Sequence, residues 1–388
     1  MPQIRSCLSP IAAAAMLSLM SLPAWAVSFT QTNLVTDDQT ANTAQITDPN
    51  LKNAWGMSFG PSTPFWVSAN GTGTANLYAV DPTTQATTKQ GLTVSISGDG
   101  SVTGNVFNSD ASAFNGNRFL FVSEDGTVSG WRPALGTSGT VPADTIVPVS
   151  AVYKGTTLGS VSGHEYLYAA NFRAGTVDVY KGDVAAPVLS GSFHDPDIPK
   201  GFAPFNVQNL NGSLYVTYAL QDAARHDDVP GMGLGFVDKF TLNGDLVERV
   251  ASRGQLDAPW GLAIAPSSFG AMAGDLLVGN FGNGHINIFD PNTHAHVGQV
   301  LGANGHPLAI DGLWAISPGN DGSGGSSHML YFTAGPNGET HGLFGVLTPV
   351  PEPSEYAMML AGLGIMALLI RRRVVNEGIS GGMGSASI

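Results

Sequence analysis

The sequence predicts an all-β fold, a six-bladed β-propeller, and three observations carry that reading. The first is composition. Of 388 residues, 50 are Gly and 24 are Pro, while 43% are hydrophobic and only 12% charged. Inside a helix Gly and Pro cost about 1 and 3 kcal/mol relative to Ala, so this density excludes a long helical bundle. The second is alternation: short segments run apolar-polar-apolar between Gly, Asn and Asp punctuation, the pattern of half-buried strands joined by hairpin turns. The third is repetition, because the same segments return six times with a period of about 50 residues.

Each repeat opens on a short strand carrying a bulky residue: Ala54-Trp55-Gly56-Met57, Ala203-Pro204-Phe205-Asn206, Ala258-Pro259-Trp260-Gly261 and Gly312-Leu313-Trp314-Ala315. Weaker copies stand near Gly104-Asn105-Val106 and Val152-Tyr153-Lys154. A hydrophobic strand follows, as in Phe65-Trp66-Val67, Phe119-Leu120-Phe121-Val122, Tyr166-Leu167-Tyr168, Leu214-Tyr215-Val216, Leu276-Leu277-Val278 and Leu330-Tyr331-Phe332. A third strand alternates after a Gly-rich turn, as in Val177-Asp178-Val179-Tyr180 or Ile286-Asn287-Ile288-Phe289. Each unit has room for four strands. A lone four-stranded sheet cannot bury both faces, so the units must pack on one another, and radial packing leaves the fewest open edges. A pair of β-sandwiches is the alternative architecture, disfavoured by a single period running through the whole body. The sixth unit has only three strands of its own, ending near Leu347, while a strand-like segment from Phe29 to Thr36 precedes the first. That segment is expected to supply the outer strand of the last blade and so close the ring.

The two ends read as addresses. Residues 1–26 have a basic start at Arg5, an apolar stretch from Ile11 to Leu22 and the small-x-small site Ala24-Trp25-Ala26, the features of a secretory signal peptide. The single cysteine, Cys7, lies within it, so the body at 27–350 has no disulfide, thiolate nucleophile or Cys metal ligand. At the other end Pro351-Glu352-Pro353 precedes an apolar run, Tyr356 to Ile370, and then Arg371-Arg372-Arg373. This order resembles the PEP-CTERM sorting tail. The resemblance implies a sorting signal over 351–373 with a short transmembrane helix, a cytoplasmic end at 374–388, export by the Sec machinery and processing by an exosortase in a Gram-negative bacterium. It also implies a transient stay in the inner membrane, then association with the cell surface or the exopolysaccharide matrix. A plain C-terminal anchor is the alternative. The net charge of −13 argues against nucleic acid as a partner and favours cations over anions.

The repeats themselves resemble NHL and SMP-30-type propeller units, most closely in Gly279-Asn280-Phe281-Gly282-Asn283-Gly284-His285-Ile286-Asn287-Ile288-Phe289. From about Phe29 to Leu347 the body is similar to the bacterial TIGR03118 family, through Ala203-Pro204-Phe205-Asn206-Val207-Gln208-Asn209, Tyr218-Ala219-Leu220-Gln221-Asp222, His226-Asp227-Asp228-Val229 and Leu330-Tyr331-Phe332-Thr333-Ala334-Gly335-Pro336-Asn337. This resemblance implies the propeller fold and brings no activity with it.

Three constellations are candidates for chemistry. The loop from Gln221 to Leu234 gathers Asp222, Arg225, His226, Asp227 and Asp228 in a chain otherwise poor in charge. Asp222, Asp227 and Asp228 with His226 suit a Ca²⁺ site or an acid/base group, since Ca²⁺ takes six to eight oxygen ligands; a solvated loop with an internal Arg225–Asp pair is the alternative. Asn70, Asp125, Asn171 and Asn280 recur after the second strands. The SMP-30 resemblance implies that such a ring could hold a divalent metal near the channel, whereas Asn and Asp also suit turns for their own sake. Trp55, Trp260 and Trp314 occupy one place in three units and would stack on sugars if they faced the channel, or pack between blades if they did not. The pair His294 and His296 reads as exposed, and Glu339 with His341 could act as acid and base only if folding brought them to the axis. No Gly-x-Ser-x-Gly elbow, His-Glu-x-x-His helix or Walker loop is present. The sequence therefore points first to a surface-sorted binding or structural protein with no assigned catalytic residue, and second to a metal-dependent hydrolase or lactonase.

Overall fold

The computed structural model describes residues 27–148, 150–350, 362–364 and 366. The predicted signal peptide at 1–26 lies outside these residues, as do the Pro-Glu-Pro motif, nearly all of the expected transmembrane helix and the expected cytoplasmic end. Among the described residues no helix is long and apolar enough to cross a membrane.

Residues Ser28–Val350 form one compact unit of six sheets, antiparallel apart from short added edge strands, the six blades. In blade 1 the order from the axis outward is Ala54–Ser58, Phe65–Ala69, Thr74–Val80 and Thr87–Ser95. Blade 2 runs Val102–Phe107, Phe119–Ser123, Thr127–Trp131 and Asp144–Pro148, and lends Gly139–Pro142 as a fifth, parallel strand to blade 1. Blades 4 and 5 start at Phe202–Leu210 and Pro259–Ile264 and have four strands each. The middle strands are apolar on both sides: Phe65–Ala69, Phe119–Ser123, Leu276–Asn280 and Leu330–Ala334 are buried at every residue. Packing between blades explains this, since each sheet is covered on both faces by its neighbours.

Blade 6 is closed from both ends of the unit. Leu313–Pro318, Leu330–Ala334 and Leu343–Val350 are completed on the outside by Ser28–Thr36, which runs antiparallel to the last strand from Ser28 opposite Val350 to Thr36 opposite Leu343. The ring is thus fastened by main-chain hydrogen bonds, as the strand deficit of the sixth repeat leads one to expect. The pairing also places both ends of the unit, Ser28 and Val350, on one face of the ring.

Blade 3 departs from the expected four strands. It has three, Tyr153–Val161, His164–Asn171 and Thr176–Lys181. The next stretch, residues 182–201, contains Pro187, Pro196 and Pro199, which lack the N–H that a ladder needs. It leans on blade 4 instead: the amides of Gly191 and Phe193 donate to Asn243 O and Gly244 O at 2.9 Å each, and Asp195 pairs with Arg249.

Candidate functional site at the mouth of the channel

Every inner strand breaks register at the same place. The shifts fall between Ala54 and Met57, Val102 and Asn105, Tyr153 and Thr156, Pro204 and Asn206, Pro259 and Gly261, and Leu313 and Ile316. A bulge adds an unpaired residue and re-aims its side chain. Six such bulges in a ring bring Trp55, Thr103, Lys154, Phe205, Trp260 and Trp314 into corresponding positions around the axis. Glycine makes the convergence possible. A Cβ on Gly56 would lie 2.5 Å from Thr103 O, and one on Gly104 2.7 Å from Thr156 N, so a side chain at either position would push adjacent inner strands apart.

The aromatic members form a floor. Trp55 and Trp314 stack with centroids 3.6 Å apart, and Phe281 stacks on Trp314 at 4.0 Å. Trp260 meets Trp314 edge-on at 5.9 Å. Trp55, Trp260 and Trp314 are at most 2% exposed. They therefore reach the axis, but their faces are taken up by one another and not presented to solvent.

Blade 3 places a lysine where three other blades have tryptophan. Lys154 is 2% exposed. Its ammonium pairs with Glu124 and with Asp227 Oδ1 at 3.2 Å, and lies 5.2 Å from the centroid of the Trp55 ring. Burial works against this charge, but the carboxylates of Glu124 and Asp227 outweigh it and hold Lys154 above its usual pKa. Hydrogen bonds carry the network onward around the ring. Asn70 Nδ2 donates to Glu124 Oε2 at 3.0 Å, and Asn53 Nδ2 donates to Asn70 Oδ1 at 3.3 Å and to Glu339 Oε2 at 2.6 Å. The indole N–H of Trp314 donates to Asn53 Oδ1 at 2.9 Å, and that of Trp260 to Lys154 O at 3.2 Å. Two further carboxyls face this one ammonium. Burial pushes Asp228 up to about 7, with Lys154 pulling against it and Glu339 and Asp227 adding repulsion. Burial likewise raises Glu339, against the hydrogen bond from Asn53.

The acidic loop joins the mouth through His226, Asp227 and Asp228. Asp227 and His226 come together with Glu124 of blade 2, one ligand atom from each lying within 4.8 Å of the others. Asp222 is committed to the loop itself, its Oδ1 accepting from the amides of His226 at 2.8 Å and Asp227 at 3.3 Å. Asp228 turns inward and leaves Oδ2 buried without a partner among the described residues. Two carboxylates and an imidazole suit a divalent transition metal. However, Glu124 Oε1 and Asp227 Oδ1 are the same oxygens that hold Lys154, and His226 Nδ1 lies 2.9 Å from that Asp227 oxygen. A metal fits here only if the ammonium withdraws.

Of the four residues picked out after the second strands, the structure brings only Asn70 to the network. Asn171 donates to Asp178 within its own blade at 2.9 Å. Asn280 donates to Gln255 O at 2.8 Å and Asn283 at 3.1 Å. Asp125 accepts from the amides of Asp99 and Thr127 at 2.8 Å each. The strand pairings show why. Ala54, Val102, Tyr153, Pro204, Pro259 and Leu313 lie opposite Ala69, Ser123, Asn171, Tyr218, Asn280 and Ala334. The residues that follow are Asn70, Glu124, Phe172, Ala219, Phe281 and Gly335, so Asn171 and Asn280 come one residue too early and Asp125 one too late. Sequence reasoning missed Glu124 for this reason, and it also missed Lys154 and Asn53, which belong to or precede inner strands. A charged residue at an otherwise aromatic repeat position was the available signal for Lys154. Glu339 reaches the network, but His341 turns away to Asp37 at 3.0 Å, so the two do not form an acid/base pair. His294 and His296 sit at the outer edge of blade 5, where His294 faces Glu248 at 3.5 Å.

Residues 349–373 match the PEP-CTERM protein-sorting motif. The chain is 31% identical over 337 residues to an uncharacterised protein of Acanthamoeba polyphaga mimivirus, covering 83% of this chain and 81% of that protein. A second protein of the same virus is 31% identical over 322 residues, covering 77% and 81%. Among solved structures, an α-L-arabinofuranosidase from Fusarium graminearum in complex with an iminosugar inhibitor superposes with a TM-score of 0.51 at 9% identity, over 83% of this chain and 98% of that one. At that identity the likeness concerns the fold alone.

Proposed function

The chain belongs to the same family as these two mimivirus proteins and carries a PEP-CTERM sorting tail, and from that premise we propose that it is an exported, surface-sorted propeller that binds a component of the cell surface or exopolysaccharide matrix. The observation that carries this reading is the sorting motif, which begins at residue 349, inside the last strand of the ring. The mouth supports binding over turnover. Its one buried amine is held as an ammonium, whereas a nucleophilic lysine needs a lowered pKa. The test is retention on the matrix. Native exopolysaccharide is immobilised, and the full chain is compared with an equally acidic protein. Retention above that control is expected; retention no greater than the control's would defeat the proposal.

A second reading, a metal-dependent hydrolase or lactonase, is favoured by the grouping of Glu124, His226 and Asp227. These three would hold the ion and Lys154 would have to move aside. Mass spectrometry of the dialysed protein decides: about one metal per chain, lost in Glu124→Gln, supports this reading, and a metal-free protein removes it.

A further inference from the structure

The channel has a second end. Where the inner strands leave the bulges and run to the opposite face, they open into a funnel of about 450 Å³. That lies within the ~300–1,000 Å³ usual for ligand pockets. None of its lining residues is charged, although the chain has a net charge of −13 and the mouth gathers four carboxyls around one amine. One wall is aromatic. Phe59 and Phe107 are half-buried at the rim, and Trp260 lines the base. Gly60 leaves room for the Phe107 ring, since a Cβ there would lie 2.9 Å from it. Arg118, itself not in the lining, lies over that ring at 5.1 Å. Another part of the wall carries amides. Asn209 is committed to the backbone, donating to Leu158 O at 2.9 Å and accepting from Gly212 N at 3.1 Å. Its neighbours Gln208 and Asn211, half-buried and exposed, bring two more amides to the lining.

We propose that this funnel binds one neutral sugar ring. A sugar presents apolar C–H faces, which suit half-exposed aromatic rings, and a rim of hydroxyls, which suit amides that both donate and accept. An uncharged lining gives no counter-ion to a uronate or an amino sugar, so the neutral ring is the class it fits. A cavity of this size takes one or two rings, not a long strand, and the buried tryptophans beneath it bar passage through the channel. This inference rests on the binding reading above and adds a site and a ligand class that the reading does not contain.

The test uses the full chain in a detergent without a sugar headgroup. Isothermal titration is run with the methyl glycosides of glucose, galactose and mannose, with cellobiose, and with glucuronate as the charged control. At least one neutral sugar is expected to bind with Kd of about 1 mM or tighter, and glucuronate more weakly. The double variant Gln208→Ala, Asn211→Gly removes both free amides. Gly suits the left-handed backbone at Asn211, where φ is 54°. It should weaken binding about tenfold or more, for two lost hydrogen bonds, with an unchanged melting temperature. Should that variant fold poorly, Ser317→Trp fills the funnel from its rim and should block binding outright. No binding by any neutral sugar overturns the proposal, as does equal or tighter binding of glucuronate. If affinity instead falls in Glu339→Gln and not in the funnel variants, the sugar sits at the mouth; the funnel proposal then fails while the binding reading stands. If the matrix polymer is not retained but a small sugar binds, the reverse holds.

Discussion

The two ends of one channel are built from the same six inner strands and differ in nearly every physical respect. At the mouth, bulges and strand ends deliver charge: Lys154, Glu124, Asp227, Asp228 and Glu339, linked by the amides of Asn53 and Asn70. At the far end the same strands carry Met57, Val106, Leu262 and Ile316, with no charged side chain in the lining. The mouth is a polar network around one ammonium, in which Asp228 Oδ2 is already without a partner among the described residues and the loss of Lys154 would strand further charge. The funnel is a surface of half-buried rings and amides with no ion pair in its lining. The difference teaches that burial alone does not tell how costly a residue is to change; what it is bound to decides.

Four measurements would break or sharpen this contrast. The largest effect is expected for Lys154→Met. It strands the Glu124 carboxylate, whose side chain is 12% exposed, and breaking a buried pair from one side costs about 3–5 kcal/mol. Adding Glu124→Gln should restore most of the loss in denaturant unfolding; a Lys154→Met chain as stable as the parent would show that the network does not hold the mouth together. Next comes Asn53→Ala. It removes the acceptor for Trp314 Nε1 and the donor to Glu339, and puts alanine at φ 46°. Unsatisfied buried groups of this kind cost about 1–3 kcal/mol.

The third is pH dependence. Asp228 keeps its proton to about 7 in the folded protein, against 3.8 without burial. Between those values the folded state binds more protons than the unfolded one, so stability falls as pH rises, and above both the loss is complete. Asp238 of blade 4 behaves alike, raised to about 7 by burial despite its pairing with Arg249. Unfolding measured from about pH 4 to about pH 8 should show this slope, flattened in part by Asp228→Asn and further by Asp238→Asn. Because burial also raises Glu339, a slope that ignores both Asp228→Asn and Glu339→Gln would locate the titration outside the mouth. The smallest effect is expected in the funnel, where Gln208→Ala should change stability by no more than about 0.5 kcal/mol. A larger change would mean that the funnel residues hold the ring as the mouth residues do.

Much of the fold was legible because its signals are local. Alternation within five to nine residues marks a strand wherever it stands, and the copies at 65–69, 119–123 and 330–334 fall where the pattern puts them. The shortfall of one strand in the last repeat foretold the closure by Ser28–Thr36. Blade 3 was harder, since its unit has room for a fourth strand, yet the prolines at 187, 196 and 199 keep the segment out of the ladder and it leans on blade 4 instead. The site was legible in part. The acidic loop was found, and Asp227 and His226 do reach the mouth, but their partners come from other blades. Glu124 lies 103 residues from Asp227, and Asn53 is 286 from Glu339. No local pattern records such distances.

The sequence by itself determined the number of blades, the strand order within them and the sorting address at the C-terminal end, because periodicity and motif spacing are properties of a chain read in one dimension. Tertiary structure alone decided which residue of each repeat meets the axis. A bulge shifts side-chain direction by one position, and six bulges acting together turned Glu124 inward in place of Asp125 and set Lys154 among tryptophans. It also decided that one end of the channel carries charge and the other none, since that contrast depends on which strand ends gather at which face of a closed ring.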